Sequence, residues 1–90
     1  MKEKVLKIIN NYGAMNQLKY MQTEMFEFVE AVINYNNLPN EKNKDHIEEE
    51  YADLMVMLEQ FHAYYNLDDM HISEVMHQKI DRQLKRIEND

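Results

Sequence analysis

The sequence predicts an all-α fold, an antiparallel bundle of about four helices with the first one short. Three observations carry that expectation. Apolar residues recur at alternating steps of three and four, as in Ile47, Tyr51, Leu54, Leu58, Phe61 and Tyr65. This is the period of a helix and not of a strand. A single glycine and a single proline leave few places to interrupt helices. Hydrophobic content of 44% beside 30% charged residues suits a chain that folds around a core rather than a disordered one. Residues 1–90 form one domain. A core this small is limited, and association would enlarge it.

The elements follow in order. Lys2 to Tyr12 reads as the short first helix, with Val5, Ile8, Ile9 and Tyr12 on one side, and Gly13 ends it or marks a bend. Ala14 to about Asn36 reads as a long second helix with the seam Leu18, Met21, Met25, Phe28 and Val32. Asn36 to Asn40, around Pro39, is a turn cluster, and Asn40 is placed to cap the third helix. Either that cap starts the helix at once or the polar stretch to Asp45 stays loose, and His46 to Tyr65 is the core of the third helix. Asn66 suits a left-handed residue after it, and Asp68 or Asp69 suits the next cap. A fourth helix runs to about Ile87 along Ile72, Met76, Ile80, Leu84 and Ile87.

Bulk properties exclude several functions. Ten cations against 17 acids give a net charge of −7, which argues against non-specific nucleic-acid binding. Without cysteine there is neither a disulfide framework nor a thiolate zinc site. The apolar run at the start is too short for a signal peptide, and no stretch approaches a membrane span, so a cytoplasmic protein without a membrane partner is expected. With one glycine and one serine, neither a glycine-rich phosphate loop nor serine chemistry is in view. Glu74 and His77 match half of a di-iron motif that needs two such pairs. The four histidines lack ligand-pair spacing within any one helix and read as polar surface groups.

The residues that point to chemistry are acids. Glu50 and Asp53 stand one helical turn apart beside the apolar seam of the third helix, and Glu24 and Glu27 do the same on the second. A short connection makes these helices antiparallel neighbours. If their seams face each other, four carboxylates converge between them. Acids in an apolar setting carry a desolvation cost unless something pairs them. Hard oxygen donors of this kind suit magnesium, or manganese, and not zinc. Acids at such spacing are common on exposed helix faces, so either pair alone reads as a solvated face. For two pairs flanking facing seams, a solvated face and a metal site weigh about evenly.

Glu24-x-x-Glu27, followed after 22 residues by Glu50-x-x-Asp53, resembles the signature of the MazG-like all-α nucleoside triphosphate pyrophosphohydrolases, with closest flavour to small phage-type members. TEMFEFVEAV (23–32) and EEEYADLMVMLEQ (48–60) resemble the family's two metal helices, and KIDRQLKRI (79–87) its following basic segment. The likeness spans roughly residues 14 to 88. Thr23 stands where many members carry another acid, and Phe26 where many carry a small residue. The resemblance implies a dimeric or tetrameric enzyme that uses magnesium to cleave a nucleoside or deoxynucleoside triphosphate to its monophosphate and pyrophosphate. It also implies that Glu24, Glu27, Glu50 and Asp53 are the metal ligands and the catalytic centre.

Candidates for substrate contact are fewer. Lys79, Arg82 and Arg86 form a stripe beside the fourth helix's apolar seam, and such groups supply charged donors to phosphates. Cations near a helix C-terminus also complement its dipole, the simpler account of Lys85 and Arg86. Asn16 and Gln17 lie about two turns before Glu24 and are candidates to bond a base or sugar. Two rival readings are a non-catalytic helical interaction module and a nucleotide-binding sensor.

Overall fold

The computed structural model describes residues 1–89. Among them are four helices and no strand: α1 (Lys2–Tyr12), α2 (Ala14–Asn37), α3 (Glu41–Tyr64) and α4 (Asp69–Asn89). Among the described residues, no helix is long and apolar enough to cross a membrane.

The joints between helices follow from local chemistry. Gly13 alone separates α1 from α2, with φ +91° and ψ 142°, a conformation that side chains other than hydrogen resist. A Cβ there would meet nothing closer than Asn16 Nδ2 at 3.9 Å, so the backbone angle, and not crowding, demands the glycine. Between α2 and α3, Asn40 Oδ1 accepts a hydrogen bond from Asn43 N at 2.8 Å, the expected N-cap. Asn43 Nδ2 then donates back to Leu38 O at 2.8 Å. These bonds begin α3 at Glu41, so the polar stretch 41–45 is helical rather than loose. Asn66 takes φ +51° as expected, and Asp68 Oδ1 caps α4 by accepting from Met70 N and His71 N at 2.9 and 3.2 Å.

Helices α2 and α3 run antiparallel in a fixed register. Gln17 bonds Gln60, and Asn43 Nδ2 reaches Asn34 O at 3.5 Å. Each pair of residue numbers adds to 77. The same register sets Glu24 opposite Asp53 and Glu27 opposite Glu50. α1 packs chiefly on α3, burying Val5 and Ile9.

The inward lines coincide only in part with the apolar seams the periodicity predicts, of which Met21, Phe28, Val32, Ile47, Leu54 and Phe61 are half-buried. α2 buries Gln17, Glu24 and Ala31, seven residues apart, and α3 buries Glu50, Met57, Gln60 and Ala63. Leu18, Met25, Tyr51, Leu58 and Tyr65 from the predicted seams are exposed. The helices are rotated so that polar residues line their contact and much of the apolar surface faces outward.

α4 forms as expected but lies against none of the other three helices and buries no residue. A bond of 2.6 Å between His62 Nε2 and Asp69 Oδ1 ties its start to α3. Its seam residues Met76, Ile80, Leu84 and Ile87 are each more than half exposed. The radius of gyration is therefore 16.3 Å, against about 12 Å for a compact chain of this length. The accessible surface is 7535 Å², where a compact monomer of this mass exposes about 5,600 Å².

Candidate metal and substrate site

Three carboxylates converge between α2 and α3. One oxygen from each of Glu24, Glu27 and Glu50 lies within 4.8 Å of the others. The antiparallel register brings them together, because Glu24 and Glu27 climb one turn of α2 while Glu50 and Asp53 descend one turn of α3. Glu24 is only 4% exposed and Glu50 8%. Asp53 is exposed at the edge of the cluster, and its charge is felt by both Glu24 and Glu50.

The cluster carries unmet demand. Glu24 Oε2 and Glu50 Oε2 are fully buried and make no hydrogen bond, a costly condition for any carboxylate. Burial pushes the Glu24 carboxyl above its ordinary value, and the charges of Glu27 and Asp53 push it further. Burial likewise raises Glu50, followed by Glu27 and Asp53, while His46 pulls it back. His46 Nε2 sits 3.8 Å from Glu50 Oε1, and its Nδ1 is 3.7 Å from Glu49 Oε2. The Tyr20 phenol is raised, chiefly by the charge of Glu24 beside it. Among the described residues, no Lys or Arg pairs with these acids.

A cavity of about 480 Å³ opens beside the cluster, between α1, α2 and α3. Glu24 and Asp53 form one end, and Gln17, Met57 and Gln60 line it further along. The Gln17 Nε2 donates to Gln60 Oε1 at 2.8 Å. A separate groove of about 590 Å³ runs along Lys42 to Glu49. It is confined to the first turns of α3 and takes no residue of the acid cluster.

The other sequence candidates fall as follows. Gln17 is buried on the cavity wall. Asn16 is exposed, and its Nδ2 donates to Tyr12 O at 2.9 Å, so its amide serves the α1–α2 joint. Lys79, Arg82 and Arg86 are exposed on α4, away from the cluster of their own chain. Gln60, Tyr20 and His46 are not singled out by the sequence reading. The signal for Gln60 is present in the numbering, since it follows Asp53 by seven residues as Gln17 precedes Glu24 by seven.

The chain matches no family model, no curated protein and no solved structure.

Proposed function

We propose that the protein is a magnesium-dependent hydrolase that cleaves a nucleoside or deoxynucleoside triphosphate into its monophosphate and pyrophosphate. The observation that carries this reading is the pair of buried, unpartnered carboxylate oxygens on Glu24 and Glu50, with Glu27 within 4.8 Å. Two orphaned buried acids side by side are costly without a cation to meet them. The donor set is all oxygen and unconstrained by thiolate or imidazole, which suits magnesium or manganese. Glu24, Glu27, Glu50 and Asp53 would hold the ion. Bound there, it would offset the charge of the substrate's phosphates and make a water molecule more acidic.

The chain's own groups then have distinct tasks. One of the four carboxylates would take the proton of the attacking water. Tyr20 lies beside Glu24, and His46 Nε2 is 3.8 Å from Glu50 Oε1. Phosphate charge beyond what the acids' ion neutralises needs cationic donors, and Lys79, Arg82 and Arg86 carry them. Because α4 lies against none of its own chain's helices, a second copy is the natural source.

Assembly as a homodimer, or a homotetramer built from it, belongs to the same proposal. The surface in excess of a compact monomer is roughly 1,900 Å² per chain, in the range of obligate interfaces. The exposed apolar lines of α4 and of α2 and α3 supply that surface.

The test is pyrophosphate release over the common nucleoside triphosphates with magnesium. Turnover is expected for the parent, and Asp53→Ala is expected to lose more than about 100-fold. Asp53 is exposed, so the variant should keep the parent's helix content. Equal turnover by parent and variant removes the assignment. A second reading, a non-catalytic interaction module, draws on the exposed apolar seam of α4 alone. It predicts no response to magnesium.

A further inference from the structure

We propose that the cavity between α1, α2 and α3 holds the base of the nucleotide, with the buried amides of Gln17 and Gln60 reading its hydrogen-bonding edge. This rests on the hydrolase reading above and names the part of the substrate that the acids do not touch.

The register places this cavity correctly. Gln17 and Glu24 are two turns apart on α2, and Gln60 and Asp53 are two turns apart on α3. Both amides therefore sit about 10 Å along the helices from the carboxylates. A nucleotide whose phosphates meet the acids extends its base over a span of that order. The cavity volume, about 480 Å³, falls among those of small-molecule sites. Its walls suit a flat heterocycle: Ile8 and Val56 are apolar, and Tyr12 and Tyr20 bring aromatic rings on which a base can stack.

The amides supply the recognition. Gln60 is 1% exposed and Gln17 8%. Each side chain offers two donor hydrogens and two acceptor sites. Between them they make one good bond, Gln17 Nε2 to Gln60 Oε1 at 2.8 Å. Gln60 Nε2 otherwise finds only Met57 Sδ at 3.5 Å, a weak acceptor. Two buried amides with most of their capacity unspent are poor core residues, and apolar side chains would fill the space better. A ligand with adjacent donor and acceptor atoms, as on the edge of a nucleobase, completes them. Because the Gln17–Gln60 bond fixes one amide against the other, bases with a different order of donors and acceptors meet unpaired groups and are disfavoured.

The experiment needs no metal and no turnover. The ¹⁵N-labelled full chain is titrated with each common nucleoside 5′-monophosphate without magnesium, while the side-chain amide signals of Gln17 and Gln60 are followed. Ribose 5-phosphate, which has the sugar and phosphate but no base, is the control. The expected result is that at least one nucleotide moves both amide signals and ribose 5-phosphate does not. Gln60→Leu, checked by circular dichroism for parental helix content, should lose that response and change the ratio of kcat/KM between two bases by about tenfold or more. If the variant does not fold, the parent titration decides alone. Amide signals that stay fixed with every nucleotide, or that move equally with ribose 5-phosphate, overturn the proposal. Loss of the magnesium site would leave this binding readout intact, and a silent cavity would leave pyrophosphate release intact, so the two readings fail separately.

Discussion

Glu24 shows how one side chain ties stability to function. Its carboxyl is buried, one oxygen is unpartnered, and its acidity is weakened first by burial and then by Glu27. In the unfolded chain the same group returns to its ordinary value of 4.5. A group whose value is raised on folding contributes stability that is fully present below the unfolded value and is lost as pH rises through the folded one. Glu50 is raised in the same direction. The metal-free protein should therefore lose stability as pH climbs from 4.5 towards neutrality, and a thermal melt against pH in a chelating buffer checks the slope. Glu24→Gln, which removes the charge and keeps the shape, should flatten that slope. At neutral pH it should raise the metal-free melting midpoint by about 4 °C. A midpoint lowered by the substitution would mean that some partner already satisfies the carboxylate.

The helices themselves were largely legible, and their rotation was not. Capping chemistry at Asn40, the left-handed Asn66 and the Asp68 cap can each be read from residue type, because these signals are local. The spacing of two i, i+3 pairs on helices joined by a short turn points to four acids together; three of them, Glu24, Glu27 and Glu50, converge, and Asp53 stands exposed at their edge. The direction each helix faces does not follow. Hydrophobic periodicity finds the apolar side of α2 at Leu18, Met25 and Phe28, yet the chain buries Gln17, Glu24 and Ala31. One sequence does not say whether an apolar stripe meets its own chain, and here much of it stays exposed. Gln17 is singled out by its spacing from Glu24, but its partner Gln60 is not, since glutamine on a helix is usually solvated and only the register puts Gln17 against Gln60. Asn43, which staples the α2–α3 turn through Leu38 O, carries no sequence signal beyond its type. The joint at Gly13 gives the sharpest prediction at this scale. Gly13→Ala must force φ +91° on a residue with a Cβ, and should cost about 1–3 kcal/mol. Chemical denaturation reads that loss, and an unchanged midpoint would show that α1 and α2 meet at a different angle in solution.

At the scale of the molecule, one chain leaves much apolar surface open. α1, α2 and α3 enclose a polar interior with a small apolar core, while α4 holds its apolar seam and its cations apart from them. A 90-residue chain with this much exposed surface gains by association. In solution the particle should sediment at a multiple of 11.0 kDa, twice that mass or four times. Leu84→Asp, which puts a charge in the middle of the α4 seam, should shift it towards the single chain while α1–α3 keep their helix content. Sedimentation of the parent as a single chain at micromolar concentration would end the assembly proposal without touching the acid cluster.

The acid cluster is where sequence, packing and function meet, and magnesium titration addresses it most directly. The melting midpoint of the parent and of Glu24→Gln is followed at neutral pH as magnesium is raised through the millimolar range. A ligand that binds only the folded state raises the midpoint in step with its free concentration. The parent should climb continuously, and Glu24→Gln should stay flat from its higher starting point. A flat parent, or a variant that climbs as steeply as the parent, would contradict the claim that these carboxylates are turned inward for a divalent ion.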